Sequence, residues 1–212
     1  ININDRPELD KWILSELNSL IAEVDDHYDN YEPTKAARAI SNFVQLYLSN
    51  WYVRLSRRRF WKGSYSHDKI SAYQTLYKCL IVVSKLSSPI APFFMDRLYK
   101  DLVNNTSKNP LDSVHHDEFP VSNSKEIYPD LQQKIRKAQT ICSLVLSLRK
   151  KEKIKVRQPL SKIMIPFLNE NEKKEILEIS ELIKSEVNVK ELELISNSSG
   201  ILIKKVKPNF KS

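Results

Sequence analysis

The sequence predicts a mainly α-helical protein, an up-and-down bundle of about five helices followed by a small α/β appendage. Three observations carry that expectation. Apolar residues recur at three- and four-residue intervals from Leu9 to about Leu148, the spacing of helices with one buried stripe. Short β-favouring runs are confined to the stretch beyond Ile154. Hydrophobic residues make up 41% of the 212, enough for a real core, yet runs such as "CLIVV" at Cys79 to Val83 fall far short of the ~20 residues a membrane span requires.

The elements follow in order. Leu9, Trp12, Ile13, Leu17, Leu20, Ile21 and Val24 mark a first helix from Pro7 to about His27. Pro33 suits the first turn of a second helix, whose stripe of Ala37, Ile40, Val44, Tyr47, Trp51 and Leu55 extends it to roughly Trp61. Asp68 is the expected N-cap of a third helix carrying Ala72, Tyr73, Leu76, Leu80, Val83 and Leu86, closed at "SSPIAP" by two prolines. A fourth runs from Pro92 to about Leu102. The aperiodic "NNTSKNPLDSVHHDEFPVSNS" reads as a long loop, and a fifth helix spans Pro129 to about Glu152. Then "IKVRQPLSKIMIPF" reads as strand, "NEKKEILEISELIKSEV" as helix, and "VKELELI" and "ILIKKV" as short strands. The expected division is a bundle over residues 1–153 and an α/β segment over 154–212, truncated at its C-terminus. A chain opening on Ile1 rather than Met reads as a fragment of a longer protein.

Composition narrows the function. A formal net charge of +8 favours an anionic partner, nucleic acid first. Cys79 and Cys142 each sit in an apolar helical pattern, as buried reduced thiols do, and no signal peptide precedes them; both features point to the cytoplasm. With only Gly63 and Gly200, no glycine-rich phosphate loop is possible. His115, His116 and Asp117 lack the spaced further ligands of a metal site, and His27 and His67 read as surface histidines at helix edges.

The charge is unevenly placed. Residues 1–32 hold nine acids (Asp5, Glu8, Asp10, Glu16, Glu23, Asp25, Asp26, Asp29, Glu32) against Arg6 and Lys11. Residues 33–67 hold no acid, against Lys35, Arg38, Arg54, Arg57, Arg58, Arg59 and Lys62. At ~100° per residue Arg54, Arg58 and Lys62 continue the face of Ile40, Tyr47 and Trp51, and charged residues are rarely buried unpaired. One reading packs the second helix antiparallel to the first, so that Asp5, Glu8 and Asp10 neutralise Arg54. Three consecutive arginines point three ways and cannot all meet one neighbour, so some face outward. Beside Phe60 and Trp61 they supply charge for phosphates, donors for base edges and flat surfaces for stacking, the chemistry of single-stranded RNA binding. Trp12, Tyr47 and Trp51 lie on inner stripes and read as core, Trp51 as packing that positions the arginines. The run "RKKEKIKVRQP" offers Lys155 and Arg157 as a second phosphate patch or a solvated junction.

The segments "LDKWILSELNSLI", "YEPTKAARAISNFV", "LSNWYVRLSRRRFWK", "SSPIAPFFMDRLY", "SVHHDEFP", "VRQPL" and "VKPNFK" stand in the order found in isoleucyl-tRNA synthetases, which the chain resembles from about Asp5 to Lys211. Valyl and leucyl relatives resemble it less at the arginine-rich run. The resemblance implies a class Ia helical bundle that grips the anticodon stem and loop of isoleucine tRNA, working with a catalytic domain of the same polypeptide, with no DNA or membrane partner. The full enzyme would use ATP and magnesium. This stretch lacks "HIGH" and "KMSKS" and so carries no catalytic residue. Arg57, Arg58, Arg59 and Trp61 are the leading tRNA contacts, Arg54 and Lys62 position them, and Lys155 and Arg157 form the second patch. The alternatives are the equivalent bundle of a valyl or leucyl enzyme, and a helical module that docks an acidic protein surface.

Overall fold

The computed structural model describes residues 1–61, 63–104, 106–107 and 110–196. Lys62, the "ILIKKV" run and the closing "VKPNFK" lie outside them. The chain divides into two compact units, Ile1–Gln132 and the remainder from Gln133. It is a mainly α bundle with a small α/β part, as the periodicity predicts.

In the first unit, helix α1 (Glu8–Asp29) is the central element. Trp12, Ile13, Leu14, Leu17 and Val24 are essentially without solvent exposure, but Asp10, Ser15, Glu16 and Asn18 are buried too, so α1 is enclosed on all sides over residues 12–18, whereas Ala22, Glu23, Asp25, Asp26 and Asp29 farther along it are exposed. The buried polar side chains of its first half are hydrogen-bonded, as burial demands. Ser15 Oγ accepts from the Tyr128 amide at 2.8 Å and from Gln132 at 2.9 Å, Asn18 Oδ1 accepts from the Asn123 amide at 2.9 Å, and Trp12 Nε1 donates to Glu16 at 3.2 Å. These bonds seat the 122–132 segment on α1.

The expected second helix is three pieces: α2 (Pro33–Asn42), a π-helical stretch (Phe43–Val53) and the short α3 (Arg57–Trp61). In a π-helix the bonds run i→i+5, so each turn takes more residues and the buried positions fall at Phe43, Leu48, Trp51 and Tyr52. The 3.6-residue extrapolation from Ile40 therefore loses phase before it reaches the arginines. Arg54 and Arg58 are exposed, while Ser56 and Phe60 turn inward.

Helix α4 (His67–Ser87) is capped by Ser66, whose Oγ accepts from the Lys69 amide at 3.3 Å, rather than by Asp68, which lies in the first turn. Helix α5 (Pro92–Val103) folds back on α4. The loop beyond it is pinned by two carboxylates. Asp96 accepts from Ser113 Oγ at 2.7 Å and the Val114 amide at 3.0 Å, and Asp117 accepts from Tyr99 at 2.6 Å and pairs with Lys85 at 2.8 Å. Val114 thereby packs against Tyr99, Val103 and Ile81.

Helix α6 (Pro129–Lys151) crosses the division between units. Beyond Gln132, α6 is tied to residues of the second unit: Lys134 pairs with Glu178 at 3.2 Å and Lys137 with Glu175 at 2.6 Å. The second unit continues through β1 (Leu160–Phe167), α7 (Glu170–Glu178), α8 (Ser180–Val187) and β2 (Val189–Ser196), with β1 and β2 parallel in the register Leu160↔Val189 to Phe167↔Ser196. A helical crossover between parallel neighbours is what that pairing requires. Residues 154–159, expected as strand, are irregular with a turn at Val156 and Arg157, where Arg149 gathers the carbonyls of Lys155 and Gln158. Only 2% exposed, it donates to the oxygens of Lys155, Gln158, Val187 and Asn188 at 2.8–3.2 Å.

Two outcomes follow for stability. Arg149→Met removes the charged donor shared by four carbonyl oxygens, of which those of Lys155 and Asn188 keep the Gln158 and Leu160 amides, and should destabilise the second unit by about 3–5 kcal/mol, read as early loss of amide-exchange protection in β1 and β2 while α1 stays protected. Burial opposes ionisation of Asp117, but hydrogen bonds from Lys85 and Tyr99 outweigh it and hold its carboxyl below the ordinary range. The folded chain thus binds fewer protons there than the unfolded chain does. The stabilisation is complete above the ordinary carboxylate pKa of ~4 and is lost as pH falls beneath it, so the Glu118 amide, which donates to the Asp117 carboxylate at 2.8 Å, should lose its exchange protection in acid before α1 does.

Candidate nucleic-acid interface

The site begins with one buried acid. Asp10 has no solvent exposure and receives four donors: Tyr52 Oη at 2.9 Å, Ser71 Oγ at 2.6 Å, and Arg59 Nη1 and Nη2 at 2.6 and 2.9 Å. The Arg59 fork is bidentate, the strongest geometry available to a carboxylate–guanidinium pair. Arg59 also reaches Asp68 through Nε at 3.0 Å, the Asp68 carbonyl at 3.1 Å and Ser56 Oγ at 3.2 Å. Burial works against its charge, but the bonds to Asp10 and Asp68 raise its pKa still further above the ordinary guanidinium value. Tyr52 is held neutral in turn, first by burial and then by the adjacent Asp10 charge, which push its phenol well above its usual range.

This cluster joins α1, the π-helical stretch, α3 and the start of α4. Phe60 completes the attachment, 9% exposed, with its ring 5.3 Å from that of Tyr73 at 61° and its carbonyl accepting the Tyr73 hydroxyl at 3.1 Å. With Arg59 and Phe60 inward, the helical turn leaves Arg57, Arg58 and Trp61 outside. Arg57 and Arg58 are exposed without an acidic partner among the described residues, and Trp61 is 80% exposed.

The expected contacts therefore separate. Arg57, Arg58 and Trp61 stand together on the outer face of α3. Arg59, expected beside them, is turned inward: its carboxylate partners are Asp10, one of the three acids that the sequence offered to Arg54, and Asp68. Phe60, expected as an exposed flat surface, is core. Arg54 is exposed and engaged in an interaction within the chain. Lys62 lies outside the described residues. In the second unit Lys155 and Arg157 are exposed, whereas Arg149 of the same basic run is internal.

Sequence reasoning missed Tyr65 and Lys69. Tyr65 is 80% exposed, and the Lys69 ammonium sits 5.2 Å from its ring centroid while donating to the Gly63 carbonyl at 3.2 Å. The signal was an aromatic just beyond a Gly-Ser turn. It missed Tyr52 and Ser71 as well, although Asp10 amid Leu9, Trp12 and Ile13 announces a buried acid in need of donors.

A second surface has the opposite chemistry. A groove of about 370 Å³ between α2 with the π-helical stretch and α4 with α5 is lined by Ile40, Val44, Leu48, Leu80, Phe94 and Leu98 among others, none of its lining residues charged. It has nothing to hold a phosphate backbone. No group of three His, Cys, Asp or Glu suited to a metal occurs among the described residues, and no helix there is long and apolar enough to cross a membrane.

Removing the Asp10 carboxylate strands the Arg59 charge. Asp10→Ala should cost about 3–5 kcal/mol, measured by urea unfolding, whereas Arg57→Ala should stay within about 0.5 kcal/mol of the parent, as exposed substitutions do.

Residues 10–165 match the family described as the anticodon-binding domain of tRNA ligase. The chain is similar to the isoleucine–tRNA ligase of Bacteroides fragilis, with 54% identity over 209 residues, 99% of this chain and 18% of that protein. It is similar to that of Cytophaga hutchinsonii, with 54% identity over 211 residues, 100% of this chain and 19% of that protein. Identity to the isoleucine–tRNA ligase of Clostridium tetani is 40% over 202 residues, 95% of this chain and 19% of that protein. The chain thus spans less than a fifth of the length of the curated relatives it matches.

Proposed function

This chain belongs to the family of anticodon-binding domains of tRNA ligases, and we propose that it is the RNA-holding part of an isoleucine–tRNA ligase that grips the anticodon stem and loop of isoleucine tRNA. The observation that carries the reading is the outer face of α3, where Arg57, Arg58 and Trp61 stand in solvent on a helix clamped to the bundle by Asp10 and Arg59. The isoleucine specificity is supported by relatives at 54% identity that carry that name.

The mechanism is binding without catalysis. Arg57 and Arg58 neutralise phosphates and present forked donors to base edges, while Trp61 offers a face to an unpaired base. Arg59 acts through the fold, fixing which way its neighbours point, and Arg54 and Lys62 flank them. Lys155 and Arg157 add a second phosphate contact from the other unit. ATP and magnesium, which the longer enzyme would use, do not fit these residues: two glycines make no phosphate loop, and no group of His, Cys, Asp or Glu suited to a metal stands among the described residues. Isoleucine activation then falls to a catalytic domain elsewhere in the polypeptide, and the work is cytoplasmic.

Titration with an isoleucine tRNA anticodon arm, and with an arm whose anticodon is replaced, tests the reading. The replaced arm should bind more weakly by about 1–3 kcal/mol per lost base contact, and equal affinities would remove the readout claim. Arg57→Ala and Arg58→Ala should each reduce the salt dependence of log K by about 0.7–0.9; an unchanged slope would take that arginine off the phosphate.

A further inference from the structure

Resting on that reading of α3, we propose that Trp61 and Tyr65 form a two-ring platform on which unpaired bases of the RNA loop stack, with Lys69 holding the second ring in place. Large aromatic rings normally find cover in a fold: Phe60 packs on Tyr73, and the other two tryptophans, Trp12 and Trp51, are 0% and 8% exposed, although Tyr31 and Phe93 elsewhere on the surface are exposed as well. Trp61 and Tyr65 are each 80% exposed. Their exposure is built into the chain. Burial of Phe60 at the end of α3 throws the next residue outward. Gly63, at φ +77, then turns the chain in a conformation that suits glycine, although a Cβ there would meet nothing within 4 Å. The glycine is required by the turn and not by crowding.

Tyr65 is held rather than loose. The Lys69 ammonium lies 5.2 Å from its centroid and is tethered to the Gly63 carbonyl at 3.2 Å. Four residues of chain keep the Cα atoms of Trp61 and Tyr65 within ~14 Å of each other, so both rings are within reach of one loop of RNA. The charge suits the occupant: Arg57 and Arg58 lie one turn before Trp61, residues 33–67 hold no acid, and nearby Asp68 is engaged by Arg59. Stacking of this kind tolerates any base, because every base has a π-face. The platform would therefore hold the loop open and leave base identity to the arginine forks.

The experiment uses the chain as it stands and an RNA hairpin with the isoleucine anticodon loop, alongside the same hairpin with abasic loop positions. Tyr65→Ala and Trp61→Ala should each weaken binding of the intact loop by about 5- to 150-fold. Neither should matter for the abasic loop, and Tyr65→Phe should restore the affinity lost in Tyr65→Ala. Because the other two tryptophans are buried, quenching of tryptophan emission by the intact hairpin reports on Trp61, and it should vanish in Trp61→Phe. Unchanged thermal unfolding of the variants secures the comparison. If the hairpin binds with the expected salt dependence but the ring-deleted variants and the abasic loop behave like their parents, the platform is overturned and the RNA-binding reading stands. If the parent protein binds neither hairpin, both fall.

Discussion

The first unit is organised around the contact of Asp10 with Arg59. A carboxylate with no exposure on the central helix must be matched or the helix cannot sit where it does, and its four donors come from the π-helical stretch, α3 and α4. A buried ion pair of this kind adds little net stability over an apolar replacement. Its value is directional. A five-residue helix has no length with which to define its own rotation, and a bidentate fork at 2.6 and 2.9 Å defines it. Everything exposed on α3 inherits its orientation from that fork.

The second unit solves a similar problem with a different partner. Arg149 gathers four carbonyls where α6 gives way to turns and where α8 meets β2. In both units a basic run is divided between one internal arginine that shapes the backbone and neighbours left in solvent: Arg57 and Arg58 in the first, Lys155 and Arg157 in the second. A basic cluster in sequence is therefore not a basic cluster in space. The internal member sets the geometry, and the external members set the potential.

That division bears on how much the sequence could reveal. The helices were legible because their stripes keep a period of 3.6 residues over many turns and prolines mark the starts of α2, α5 and α6. The β1–β2 pair was legible from β-favouring runs around a helical one, although the start of β1 was placed early because nothing local reveals the pull of Arg149 on residues 154–159. The site was half legible. Charge reversal between the first two helices marked the α3 region and required an acid–arginine pair there. The choice of arginine was lost at the π-helical stretch, since local propensity carries no sign of i→i+5 bonding and a constant 100° step accumulates error across Phe43–Val53.

That same stretch bears on how the interface is built. Had the helix continued with ordinary periodicity, Arg54 and Arg58 would lie on the buried face with Trp51, where only acids of α1 could meet them. The wider turns instead rotate them into solvent and bring Tyr52, Ser56 and Phe60 inward, leaving a single arginine within reach of Asp10. One buried charge then needs one buried countercharge, and the surplus of cations is delivered to the surface. The pairing that closes the core is thus what leaves Arg57, Arg58 and Trp61 in solvent, where the proposed contact with RNA needs them.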